Sequence, residues 1–162
     1  SLLPKQKRPE YTQMYEGFNH LNGINGGVQQ TELDYIIRNH DANLLEVQKN
    51  EFKNAQEFLN KKYGPNTIDL QITDSYKNMK EYILPHPEIL ELPKKALKLF
   101  GLDAVTYPIR GGTDGARLTY EGVLCPNLGT GSYNHHGAME FANITEMNLF
   151  VEVLYAMLTK IA

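Results

Sequence analysis

Apolar and polar positions alternate with period two over Thr67–Thr73: Ile68, Leu70 and Ile72 face one way, Asp69 and Gln71 the other. That is the pattern of a half-buried strand. Thr31 to His40 repeats it, with Leu33, Tyr35 and Ile37 on one face and Ile36, Arg38 and His40 on the other. A weaker strand over 16–24 has Phe18 as its clearest apolar residue, and Asn25-Gly26-Gly27 supplies a turn between the two, because Asn and Gly tolerate positive φ. An antiparallel hairpin is expected. Between hairpin and third strand the period changes. Leu45, Phe52, Ala55 and Leu59 form a stripe at helical spacing, with Asp41 or Asn43 able to cap it and Gly64-Pro65 to stop it after Tyr63. The order β-β-α-β matches a ferredoxin-like β-α-β-β-α-β unit without its first strand and helix.

Beyond Asp74 the pattern is different. A connecting stretch runs to Leu84, and His86-Pro87 then opens a helix with Pro at its favoured first position. Ile89, Leu90, Ala96, Leu97 and Phe100 give its apolar face, Gly101 ends it, and Pro93 is expected to kink it. A strand over 104–109, a short helix over 114–120 ended by Gly122, and a strand over 123–128 follow. Asn143-Ile144-Thr145-Glu146 resembles a capping box with Asn in the Ser/Thr place. It starts a final helix carrying Leu149, Val153, Leu154, Met157 and Ile161. Alternating helix and strand over 86–162 implies an α/β layer with parallel strands. Residues 1–15 read as a polar, proline-containing linker.

The 162 residues suffice for one domain or two small pieces, and 41% hydrophobic with 22% charged residues is a globular composition. A net charge of -3 with interspersed signs argues against a nucleic-acid partner. The basic run Lys5-Gln6-Lys7-Arg8 is short and reads as solvated linker. No apolar run approaches the ~20 residues of a membrane span, and no signal peptide is visible. The lone Cys125 allows no intramolecular disulfide, which fits a reducing compartment, and reads as a small buried hydrophobe rather than a nucleophile.

Candidate chemistry gathers in two glycine-rich loops, each after an apolar strand, which suggests one shared site beyond strand ends. In Arg110-Gly111-Gly112-Thr113-Asp114-Gly115 the glycines permit close backbone approach, and the Arg110 guanidinium suits a carboxylate. The plain alternative is a tight turn with Thr113 or Asp114 capping the helix. The loop has neither the GxxxxGK[ST] nor the GxGxxG order. His135-His136 lies in the second loop. A neutral imidazole there can bind zinc or serve as a hydrogen-bonded structural residue, and two adjacent histidines do not easily face one metal. Arg38 on its strand and Asn78 between the two pieces are weaker candidates, each more readily read as surface decoration.

Taken together, Tyr15-Glu16-Gly17-Phe18, Tyr35-Ile36-Ile37-Arg38, Ser75-Tyr76-Lys77-Asn78-Met79, Pro108-Ile109-Arg110-Gly111-Gly112-Thr113-Asp114-Gly115-Ala116, Cys125-Pro126-Asn127-Leu128, Gly131-Ser132-Tyr133-Asn134-His135-His136-Gly137 and Glu140-Phe141 resemble the peptidase T family. These are tripeptide aminopeptidases within the large dinuclear zinc peptidase family that also holds carboxypeptidase G-type enzymes and aminoacylases. The resemblance runs in order from about Tyr15 to the C-terminus. It implies the C-terminal piece of a zinc-exopeptidase α/β/α catalytic domain over 79–162, preceded by an incomplete ferredoxin-like (α+β) lid over 1–78 that often dimerises. It also implies His136 as a zinc ligand, with His135 outside the metal shell. Arg110, Gly111, Gly112 and Thr113 match the substrate-holding loop, and Arg38 and Asn78 the lid and hinge positions that hold substrate.

The family's His-x-Asp motif, bridging Asp, Glu-Glu pair and further carboxylate ligand are absent and are expected upstream of Ser1. One of the two zinc ions' ligands is therefore present, and the general-base Glu is not. The implied parent reaction is attack of a metal-bound hydroxide on the first peptide bond of a tripeptide, in the cytoplasm. The chain alone is expected to hydrolyse nothing. A non-catalytic lid or dimerisation fragment, and another family hydrolase (acylase or carboxypeptidase), stand as the other readings. With its first strand and helix missing, the lid would leave a sheet edge uncovered, so the isolated chain is expected to pair or aggregate.

Overall fold

The structure is a computed structural model that describes residues 2–75 and 77–161. Its backbone divides into two compact units: residues up to Asn78 with the segment Tyr107–Gly112, and Met79–Thr106 with the residues from Thr113 onward.

The first unit is a β-hairpin and a long helix. Strand β1 (Phe18–Gly26) pairs antiparallel with β2 (Thr31–Arg38), with Phe18 opposite Arg38 and Gly26 opposite Thr31 and a register shift between Leu21 and Gly23. The Gly27 N–H donates to the Gln30 carbonyl at 2.8 Å across the turn. Gly26 has φ +153, and a Cβ there would lie 2.4 Å from both Gln30 O and Thr31 Cα, so this turn position requires glycine. Helix α1 (Ala42–Tyr63) begins as expected, with the Asp41 side chain accepting from the Leu44 N–H, and ends at Gly64. It turns Phe52 toward the hairpin, where its ring meets Tyr35 edge-on at 5.1 Å. The most deeply buried large side chain on this helix is polar: Gln48, 1% exposed.

The expected strand over 67–73 does not form. A strand needs a neighbour to receive its alternating donors and acceptors, and here helix side chains take that role. The Ile68 N–H donates to Asn60 Oδ1 at 2.7 Å, while its carbonyl accepts from Asn60 Nδ2 and Gln56 Nε2 at 3.0 and 3.1 Å. The order in this unit is therefore β-β-α. Further along, Lys49 Nζ sits 2.6 Å from both Asp74 and Glu46 carboxylates. The Asp74 hydrogen bond, followed by that of Glu46, raises the Lys49 pKa above its ordinary 10.5. A raised folded value means that this contribution to stability is complete below the ordinary lysine pKa and is lost as pH rises through the folded one. Lys49→Met should accordingly destabilise the protein at about pH 8, and the gap to the unaltered chain should shrink at a second pH well above the ordinary lysine value. Paired urea melts at the two pH values would show a constant gap if the ion pairs contributed nothing.

Residues 2–15, expected as a linker, carry local structure of their own. Two 3-10 turns form at Lys5–Lys7 and Pro9–Tyr11. Lys7 pairs with Glu51 of α1 at 2.7 Å, and Arg8 with Glu10 at 3.8 Å, so part of the basic run is neutralised.

The second unit is helical. It comprises α2 (Lys80–Ile83), α3 (Pro87–Leu99), α4 (Asp114–Tyr120) and α5 (Ile144–Ala156), which continues as a π-type turn Met157–Ile161. Helix α3 packs on α5, and α2 on α4, burying Ile83, Ala96, Ala116, Val153 and Ala156. Asn143 caps α5 as read from the pattern: its Oδ1 accepts from the Thr145 and Glu146 N–H groups. The reciprocal half of the box differs. Glu146 Oε1 accepts from Asn143 Nδ2 at 3.1 Å rather than from the backbone, because the Asn143 N–H is already spent on Gly131 O at 2.8 Å.

The expected strands over 104–109 and 123–128, and with them a parallel sheet, are absent among the described residues. Val105 and Tyr107 are 82% and 71% exposed, with no ladder on either side. Cys125, half-buried, is held instead by its N–H donating to the Thr119 hydroxyl at 3.0 Å. A hairpin too short to show any period forms here instead, β3 (Ser132–Tyr133) against β4 (Phe141–Ala142). The observed architecture is mixed helix and strand. No helix among the described residues is long and apolar enough to cross a membrane.

Candidate functional site

The first unit brings three of the expected substrate residues to the open end of its hairpin. Arg110 follows the stretch in which Ile109 O meets His40 Nε2 at 3.1 Å. A carbonyl only accepts, so Nε2 carries the proton in this tautomer. The His40 carbonyl in turn accepts from Asn78 Nδ2 at 3.2 Å, and the imidazole meets the Tyr15 ring edge-on at 5.2 Å. Arg110 donates from Nη1 to Thr12 O at 2.8 Å, and from Nη2 to Thr12 Oγ1 at 2.6 Å and to Glu16 O at 3.4 Å. Its guanidinium lies over the Phe18 ring, 4.7 Å from the centroid. Phe18 is the register partner of Arg38. A continuous set of contacts thus runs from Asn78 through His40 to Arg110 and Phe18, with Arg38 on the adjoining strand. The Arg110 Nε–H is buried and meets no acceptor among the described residues.

His40, Tyr15 and Thr12 were not legible as members of this cluster. Each is joined to it by a contact between residues far apart in sequence, and only the motif position of Tyr15 hinted at a role. Tyr76, inside the Ser75–Met79 segment, lies outside the described residues.

Gly111 and Gly112 are exposed, and Thr113 is the N-cap residue of α4. Thr113 makes no side-chain capping bond, so the capping explanation for this residue finds no support. Its carbonyl accepts from the Ala116 N–H at 3.1 Å.

The second glycine-rich loop belongs to the second unit and spans the β3–β4 connection. Asn134 and His136 both adopt positive φ, 56° and 65°. That is common for Asn but costly for an ordinary side chain. The turn is held by the Gly137 N–H on Asn134 O at 3.0 Å, by Asn134 Nδ2 on Met139 O at 3.2 Å, and by the His136 N–H on Glu140 Oε2 at 3.1 Å. Glu140 also faces His135 Nδ1 at 3.6 Å. The same carboxylate therefore holds the His136 backbone and lies near His135, and both histidines are exposed. In β3 Tyr133 stacks on Phe141 and donates to Glu146 at 2.5 Å, which raises the tyrosine pKa.

Tetrahedral zinc takes three or four protein ligands. Among the described residues no group of three or more His, Cys, Asp or Glu side chains is gathered. The donor set around His136 can offer a ligand but does not complete a metal centre.

No family model matches the chain. Individual proteins do. It is 47% identical over 154 residues to a peptidase T of Alkaliphilus oremlandii, covering 95% of this chain and 38% of that protein. The chain is a homologue of part of peptidase T. Two further peptidase T proteins, from Caldanaerobacter subterraneus and Staphylococcus saprophyticus, are 45% and 44% identical over the same span of 154 residues. The chain thus spans 38% of the length of these relatives. A crystal structure of a tripeptidase from Staphylococcus aureus superposes with a TM-score of 0.60, covering 94% of this chain and 41% of that one at 18% identity, a likeness of fold. The peptidase T homology covers both units, including every candidate residue from Arg38 to His136 within its near-complete span of the chain.

Proposed function

We propose that the chain is the C-terminal portion of a zinc-dependent tripeptide aminopeptidase. The observation that carries this reading is 47% identity to a peptidase T across 95% of the chain, together with the order of the motifs that led to the family. In this reading residues 1–78 are the later part of a lid and residues 79–162 the last segment of a catalytic domain. The lid serves as a homodimer surface, and the protein works in the cytoplasm. His136 supplies one ligand to a zinc pair whose other ligands belong to the part of the parent that this chain does not span. The zinc, when bound, supplies Lewis acidity at the scissile carbonyl.

The chain's own residues hold and orient substrate. The Arg110 guanidinium is anchored by Thr12 and Glu16 and stacked on Phe18, so its position is fixed before a carboxylate arrives. Its buried Nε–H meets no acceptor among the described residues. In this reading Asn78, tied to the His40 carbonyl, and Arg38 add further polar contacts to substrate, and Gly111, Gly112 and Thr113 match the substrate-holding loop.

The general base is also outside the chain, so the 162 residues alone should release no N-terminal amino acid from trialanine, with or without added zinc. Measurable release would contradict the division of labour proposed here. A hybrid in which this chain replaces the matching 154 residues of the Alkaliphilus peptidase T addresses the substrate class. Tripeptides should be cleaved in preference to N-acyl amino acids, and the reverse preference would favour an acylase. A large exposed apolar surface, including Ile24, Val28 and Leu33 on the hairpin, supports self-association through the lid. Sedimentation should accordingly show a mass that rises with concentration.

A further inference from the structure

His40 lies between two residues whose own bonds leave its backbone little freedom. On one side Asn39 accepts from the Asp41 N–H through Oδ1 at 3.0 Å and donates from Nδ2 to Gln48 Oε1 at 2.6 Å. On the other, Asp41 caps α1 by accepting from the Leu44 N–H at 2.9 Å. The backbone of His40 is therefore fixed where β2 gives way to α1, and the residue uses that place twice. Its carbonyl accepts from Asn78 Nδ2 at 3.2 Å, and its imidazole Nε2–H donates to Ile109 O at 3.1 Å. These partners stand where the chain leaves the first unit, after Asn78, and where it returns, over Tyr107–Gly112.

Ile109 belongs to no helix or strand and is 48% exposed, so no ladder among the described residues holds its carbonyl. The imidazole takes that place, one residue before Arg110. The guanidinium end of Arg110 is anchored separately, by Thr12 and over the Phe18 ring. A long side chain is oriented only when both its tip and its backbone are held, and His40 supplies the second hold. From this geometry we propose that His40 is a positioning residue for substrate, which fixes Arg110 and Asn78 relative to each other through one imidazole bond and one carbonyl bond. The inference rests on the proposed function, in which those two residues hold substrate, and it adds a residue that acts through them.

Glutamine carries an amide nitrogen about as far from the backbone as Nε2 of histidine, asparagine only about as far as Nδ1, and leucine none. In ¹H–¹⁵N spectra of the 162-residue chain the buried Arg110 Nε–H should exchange slowly with solvent. Exchange should quicken severalfold in His40→Leu and His40→Asn but not in His40→Gln. In the hybrid with the Alkaliphilus peptidase T, the first two should raise the KM for trialanine about fivefold with kcat changed much less, and His40→Gln should restore it. Trialanine amide, which offers Arg110 no carboxylate, should show no such rise, whereas a general loss of structure would affect both peptides. His40→Asn stands in for His40→Leu if the leucine variant does not fold. Unchanged Arg110 Nε–H exchange, or an equal effect on both peptides, would overturn the role of His40. Arg110→Leu in the same hybrid separates that result from a failure of the underlying reading. If it raises the KM for trialanine and His40→Leu does not, His40 alone falls; if neither does, the assignment of Arg110 falls and the role of His40 with it.

Discussion

Gln48→Leu is expected to destabilise the first unit by up to about 4 kcal/mol, although it replaces a buried polar residue with an apolar one of similar size. At 1% exposure, a leucine would ordinarily be the better occupant of this position. The neighbours decide otherwise. Gln48 accepts from Asn39 Nδ2 and donates to Asn19 Oδ1 at 2.6 and 2.7 Å. Leucine would leave Asn39 Nδ2 and Asn19 Oδ1 without their partner, the latter on a residue only 6% exposed. The desolvation cost of two orphaned groups, roughly 1–3 kcal/mol each, outweighs the ~2 kcal/mol gained by burying a leucine side chain. Gly17 reinforces the point, because a Cβ there would come within 2.6 Å of Gln48 Oε1 and 2.1 Å of Asn39 Nδ2. The relay is packed as tightly as it is hydrogen-bonded. Urea denaturation gives the answer, and a Leu variant as stable as the unaltered chain would show that the relay contributes nothing net.

Gly115→Ala should cost on the order of 1–3 kcal/mol, against the usual sign for such a change in a helix. On propensity alone, alanine would gain up to about 1 kcal/mol. Gly115, however, lies where the Cys125 backbone crosses the first turn of α4. A Cβ would sit 2.6 Å from Cys125 O, with Asn127 Oδ1 at 3.3 Å and Cys125 Sγ at 3.5 Å. The closest atom is backbone and cannot swing aside as a side chain would. Moving it would also strain the bond from the Cys125 N–H to the Thr119 hydroxyl, which itself donates to Gly115 O at 2.7 Å. Thr119 is fully buried, so the whole bracket would be disturbed. Thermal melts of the two proteins should place the alanine variant lower; an equal or higher midpoint would mean that the 123–128 segment yields freely.

Local chemistry was readable in advance wherever one element carries its own signal. Asp41 and Asn143 as caps, Gly64 as a stop and the short α4 all follow from residue types at fixed offsets, whereas the hairpin turn falls at Gly27–Gln30, with Asn25 and Gly26 still in β1. The strands that failed to form carry a valid alternation too, but a strand is completed by a neighbour, and period two does not say whether one is present. Ile68 shows the outcome, with its backbone groups taken by Asn60 and Gln56 side chains of α1. The buried Gln48 was invisible because its partners lie 9 and 29 residues away. Among the candidate residues, Arg110 and His136 stood out through their glycine-rich loops. His40 and Thr12, which hold the segment around Arg110, have no such flag, since Thr12 is 98 residues from Arg110 and His40 is 69 from Ile109.

Under the proposed function His136 serves a metal site completed by the rest of a tripeptidase. The most direct measurement is zinc content and trialanine cleavage in the hybrid that carries this chain within the Alkaliphilus peptidase T, with and without His136→Ala. The hybrid should bind zinc and release N-terminal alanine, and the His136→Ala form, folded to the same thermal midpoint, should lose cleavage together with part of its zinc. A His136→Ala hybrid that keeps full zinc and full activity would contradict the assignment.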